Sequence, residues 1–149
     1  MKQFTNKLLI IALWCSATYQ AHAEYQKQLT PLEERFLQAA KNDNMRELKD
    51  AIKARVNVLV RDGTGYQALH WAARNGNNDA ITLLVDEGAN AEDAENRDHL
   101  TPAQVAHDMH HRDTEAMLTK IADDQAARRR VKTQYYIRST GSIKTNPRE

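Results

Sequence analysis

Ala68-Leu69-His70-Trp71-Ala72-Ala73-Arg74-Asn75-Gly76-Asn77 decides how this chain is read. Thirty-three positions earlier, Ala39-Ala40-Lys41-Asn42-Asp43-Asn44 matches its last six residues. Each copy has paired alanines, a base, Asn, a turn residue and Asn. A period of this length marks stacked supersecondary units, because one unit cannot bury its apolar face alone. Leu69, Ala72 and Ala73 lie at helical spacing, and the alanines allow close approach of a neighbouring helix. Gly76 permits a left-handed turn, after which Ile81, Leu83, Leu84 and Val85 outline a second helix.

Working outward, Thr30-Pro31-Leu32-Glu33 opens an earlier unit with the residues of a capping box, and Pro31 suits the first helical turn. Phe36, Leu37, Ala39 and Ala40 follow on one helix, and Met45, Leu48, Ala51 and Ile52 on the next, with Asp43-Asn44 between them. Thr101-Pro102-Ala103-Gln104 opens a third, irregular unit containing Val105 and Ala106. There His107 replaces the second alanine, His110 the turn glycine, and the outer helix carries only Met117, Leu118, Ile121 and Ala122. In the first unit Asp43 and Arg55 stand where the middle unit has Gly76 and Gly88.

This pattern resembles the ankyrin repeat, whose Thr-Pro-Leu-His-x-Ala signature falls on Gln67 through Ala72 and whose Gly-Ala-Asp-Val exit falls on Gly88-Ala89-Asn90-Ala91. The resemblance implies an all-α solenoid of about three helix-turn-helix units, two atypical end units flanking one regular repeat. It also implies a hairpin at Asp62-Gly63-Thr64-Gly65, and a His70 that bonds across the turn between units rather than one that reacts. By the same resemblance the contact positions of the concave face are Gly63, Thr64 and Tyr66, then Arg74 and Asn75. Their equivalents are Lys41 and Asn42 in the first unit and Asp108 and Met109 in the third. Tyr66 and Arg74 are the strongest candidates, since both residue types are enriched at binding hot spots. Trp71 beside them is either packing or partner contact.

The ends are of different character. Lys2 and Lys7, the apolar run Leu8–Trp14 and Ala21-His22-Ala23 read as an export signal over residues 1–23, cut before Glu24. A short linker, 24–29, would lead to the repeat domain, 30–127. Cys15 lies within the signal, and Trp14 before it is too large for a lipidation site, so the mature chain would hold no thiol. Residues 24–127 carry 12 Lys/Arg against 19 Asp/Glu, whereas 128–149 carry seven Lys/Arg against Glu149 alone. The near-neutral total therefore joins an acidic body to a basic tail. Arg128–Arg130 are expected to finish the last helix, where cations suit the negative dipole end, with disorder after Ile137.

Little here carries catalysis. No glycine-rich phosphate loop is present, and Ser139 and Ser142 have no acid–base partner nearby in sequence. His107-Asp108-Met109-His110-His111 offers the one hint of a metal site, with His107 and His111 a helical turn apart and His99 as a distant third. Asp108 is shorter than the base a zinc hydrolase uses, and the run straddles an expected turn. The expectation is a non-enzymatic, cofactor-free, monomeric periplasmic protein that binds another envelope protein as adaptor or as inhibitor of the immunity type. A histidine-based metal binder and an envelope-surface binder acting through the basic tail are the alternatives. Export argues against nucleic acid.

Overall fold

Pro31 starts the first helix, as its fixed φ favours, in a computed structural model that describes residues 29–94 and 96–140, with side chains to Tyr136. The helices are α1 (Pro31–Lys41), α2 (Met45–Lys53), α3 (Ala68–Asn75), α4 (Asn78–Asp86), α5 (Pro102–Asp108) and α6 (Arg112–Thr140). They fall into three successive pairs within one compact unit that begins at Pro31. Residues 1–28, hence the expected export signal, Cys15 and nearly all of the linker, lie outside the described residues. So do Glu95 and the tail from Gly141.

The inner helices α1, α3 and α5 pack side by side, and each also packs on its own outer partner, α2, α4 or α6. Alanine makes this possible. Ala39, Ala40, Ala68, Ala72, Ala73 and Ala106 are buried on the inner helices, where larger side chains would hinder close packing. Phe36, Leu48, Leu69, Ile81, Leu84 and Leu118 are the large, wholly enclosed apolar residues, each contributing roughly 1.5–3 kcal/mol by burial. Leu83, Val85, Met117 and Ile121 are only half-buried.

The turn between the helices of a pair has one backbone solution in all three units. Asp43, Gly76 and His110 sit there at φ of 58°, 68° and 63°. Arg55 and Gly88 share the exit turn of the first two units in the same left-handed region. Asn44 and Asn77 then cap the outer helices, accepting from the N–H of Glu47 and Ala80 at 3.2 and 2.8 Å. At α5, Thr101 accepts from Gln104 N–H and Gln104 Oε1 accepts from Thr101 N–H, completing the expected capping box.

One expectation is overturned at the C-terminal end. α6 runs 29 residues without a break, so Arg128–Arg130 do not finish it. Where α2 and α4 meet Arg55 and Gly88, the third unit has Ala122, and strong helix formers follow. Arg130 lies ten residues before Thr140, too far from the helix end for the dipole to favour it. Among the described residues no helix is long and apolar enough to cross a membrane.

Candidate interaction face

The face that would meet a partner is anchored from beneath by His70, which is fully buried. Its Nδ1 accepts from the N–H of Gln67 at 3.3 Å. Nε2 therefore carries the proton and donates to the carbonyls of Asp93 and Leu100 at 3.1 and 3.2 Å. The imidazole thus ties the start of α3 to both sides of the next loop. Burial pushes its pKa below the ordinary histidine value, against the pull of nearby Asp93. A neutral ring with both nitrogens engaged is a structural clamp.

Above it the loop before α3 is organised by Asp62. Asp62 Oδ1 accepts from Thr64 N–H, the Thr64 hydroxyl and Tyr66 N–H, and Oδ2 accepts from Trp71 Nε1 at 3.0 Å. Burial acts to raise the Asp62 pKa, but the bonds from Thr64, Tyr66 and Trp71 together outweigh it and hold the carboxyl below its usual range. The loop closes through an isolated antiparallel bridge between Arg61 and Gln67. This is the expected hairpin reduced to its minimum.

Tyr66 is not available as expected. It is 8% exposed, its ring stacks on His70 at 5.2 Å, and its hydroxyl donates to Asp98 Oδ2 at 2.9 Å. Burial first, and the Asp98 carboxylate second, raise its pKa. The aromatic that reaches the surface is Trp71, half-buried and edge-on to Tyr66 at 5.3 Å. Lys41 Nζ lies 4.9 Å from its ring centre and Arg74 Cζ lies 5.9 Å from it, one cation from each of two adjacent units. Both are at cation–π distance.

The inner helices present their C-terminal ends in register. Lys41, Arg74 and Asp108 form one exposed row, and Asn42, Asn75 and Met109 another, each crossing all three units. Asn42 is partly occupied by Gln38 of the preceding helix. Asn75 points back: its Nδ2 donates to the carbonyls of Ala40 and Lys41 at 3.0 and 3.2 Å, so it joins units more than it greets a partner. Gly63 and Thr64 are exposed at the loop tip, where Thr64 spends its hydroxyl on Asp62 and its carbonyl accepts from Arg97 N–H of the next loop.

The histidines separate. His107 Nδ1 pairs with Glu115 Oε1 at 3.0 Å, His111 Nε2 donates to the Arg74 carbonyl at 3.2 Å, and His110 occupies the left-handed turn. His111 also covers Gly76, where an added Cβ would fall 2.8 Å from its Nδ1. His107 and His110 line an open cleft of about 720 Å³ with Arg112, Glu115, Lys120 and Asp123. Among the described residues no three His, Cys, Asp or Glu side chains converge as a metal would require.

Sequence reading missed the bonds that lock one loop to the next. Arg61 grips Asp93 with both terminal nitrogens, at 2.5 and 2.9 Å. Tyr66 reaches Asp98, and Gln125 takes Ala91 N–H and the Ala89 carbonyl. The available signal was spacing: these partners lie 32 to 36 residues apart, about one repeat.

Known proteins agree with this architecture. A family model described as ankyrin repeats, in three copies, matches residues 36–127. A curated relative, a homologue of transient receptor potential cation channel subfamily A member 1 from Caenorhabditis elegans, is 39% identical over 70 residues. That match covers 46% of this chain and 6% of the channel homologue, so it speaks for a shared repeat segment and not for a shared whole. With three matching repeats, three helix pairs and a histidine clamp between units, the chain belongs to the ankyrin-repeat family.

Proposed function

We propose that the protein is a protein-interaction module of the bacterial periplasm, an adaptor or an inhibitor of the immunity type, that grips an envelope protein with its inner-helix face. Ankyrin repeats bind other proteins. The observation that carries the reading is Trp71, half-open and flanked by Lys41 and Arg74 from neighbouring units. A Trp–Arg pair on a rigid surface is the usual composition of a binding hot spot. Bonds between units hold the row in place, so little side-chain freedom is lost on contact. The absence of catalysis and the exported location are part of the proposal; the apolar run Leu8–Trp14 and the Ala21-His22-Ala23 site support the latter.

Crosslinked capture from the native envelope, comparing the full chain with Trp71→Ala/Arg74→Ala, tests this. A partner lost from the double variant and kept by a control substitution at exposed Lys53 supports it. Retention of every partner by Trp71→Ala/Arg74→Ala rejects the inner-helix face as the working surface.

A further inference from the structure

The C-terminal part of α6 has no counterpart in the other units and no use in the reading above. Gln125 bonds it to the stack through Ala89 and Ala91, and Arg129 through Glu92. Beyond Arg129 the helix runs to Thr140, roughly 16 Å at 1.5 Å per residue. Nothing acidic occurs from Gln125 to Arg148, while Arg128, Arg129, Arg130, Lys132 and Arg138 are basic. Apolar side chains stand open on this segment: Val131 is 70%, Tyr135 75% and Tyr136 54% exposed. A soluble surface rarely combines such exposure with so one-sided a charge.

Their spacing is ordered. Arg128, Val131, Lys132 and Tyr135 fall at i, i+3, i+4 and i+7, a single stripe in which cation and apolar residue alternate. We infer that this stripe of α6 docks on an anionic lipid surface, with Val131 and Tyr135 entering the headgroup region and Arg128 and Lys132 on the lipid phosphates. Charge complementarity supports lipid as the occupant, and so does the mixture. Tyr belongs at the headgroup level and Val favours acyl chains, whereas a nucleic acid offers Val no base to stack on. The rest of the molecule reinforces the geometry. Residues 24–127 are net acidic and are repelled by the same surface, so contact is confined to the projecting helix. The row Lys41–Trp71–Arg74 then stays clear of the membrane and open to a partner.

The test is co-sedimentation of the full chain with vesicles of about one third phosphatidylglycerol in phosphatidylcholine, and with neutral phosphatidylcholine vesicles. Partition constants are compared at subsaturating lipid, so that any affinity from Leu8–Trp14, common to every protein compared, divides out. Each cation near an anionic surface is worth roughly five- to sixfold, so Arg128→Gln/Lys132→Gln should lose about thirtyfold in binding to anionic vesicles. Its binding to neutral vesicles should not change. Val131→Ser/Tyr135→Ser should lose about tenfold or more on anionic vesicles, because the apolar residues contribute by burial. All substituted side chains are exposed, and an unchanged circular dichroism spectrum verifies the fold.

Unchanged binding of the charge variant to anionic vesicles overturns the proposal. So does an apolar variant that binds like the parent while an oligonucleotide or polyglutamate binds the parent equally well. That outcome would make the helix a general polyanion contact.

Discussion

Four of the described residues, Asp43, Arg55, His99 and His110, carry conformations that their side chains resist. Asp43, Arg55 and His110 hold the left-handed region that glycine takes at Gly76 and Gly88, at a cost of about 1 kcal/mol each for a residue with a Cβ. Arg55→Gly and His110→Gly should each raise stability by about 0.5–1 kcal/mol, read as a higher urea midpoint at unchanged slope. Gly76→Ala should do the reverse and more strongly, about 2 kcal/mol or above, since its Cβ would also strike His111. A loss of only about 1 kcal/mol would show that the His111 ring swings away freely, leaving the backbone cost alone. His70 gives a pH signature. Its folded pKa lies below the ordinary 6.5 because it is buried, so on acidification the unfolded chain takes a proton that the folded ring refuses. Stability is complete above the unfolded value and falls as pH drops through that value, by up to about 1.4 kcal/mol per pH unit. In His70→Gln that part of the slope should vanish, although the variant starts less stable. A parent and variant with parallel pH profiles would contradict the buried neutral ring.

Helix ends show where local chemistry is good and where it is incomplete. The third unit keeps Thr101 and its reciprocal bonds with Gln104, so Thr101→Ala should cost about 1 kcal/mol. The middle unit has Gln67 at the equivalent place, and its Oε1 is buried without a hydrogen-bond partner. Gln67→Thr removes that orphan and restores a cap, so thermal unfolding should move upward by an amount equivalent to about 1 kcal/mol. α6 teaches a different lesson. Its helical persistence beyond Ala127 needs no packing, only good helix formers and the lack of a glycine before Gly141. Deleting residues 131–149 should consequently alter stability by less than about 0.5 kcal/mol, as judged by calorimetry. A larger loss would mean that the projecting segment supports the stack.

At the level of the whole molecule, stability is a chain of neighbour terms, one unit on the next. Arg61 and Asp93 form one such link through two bonds, and Asp93 is almost enclosed. Arg61→Ala takes both guanidinium bonds from that buried carboxylate, and should cost about 3 kcal/mol. Its location adds a second consequence. Weakening one interface in a three-unit stack should let the third pair unfold ahead of the first two, giving a shallower or biphasic urea transition. A single transition with the parent slope would mean that the packing of α3 against α5 suffices to couple the units.

The sequence by itself determined the repeat, its register and the three helix pairs. Paired alanines, turn residues and Asn or Thr caps act over a few positions and state their conformational preference locally. It also determined the division between an acidic body and a basic end. Through family resemblance it placed Lys41, Arg74, Asp108 and Met109 on one face and identified His70 as a clamp. Only the tertiary structure decided that Tyr66 turns inward to Asp98 while Trp71 stays half-open, that Asn75 caps the previous unit, and that Arg61 belongs to Asp93. Each of these depends on a group about one repeat away, whose distance and burial are set by how closely the units stack. Local pattern fixes which helix forms; the neighbour across the interface fixes which side chain is left for a partner.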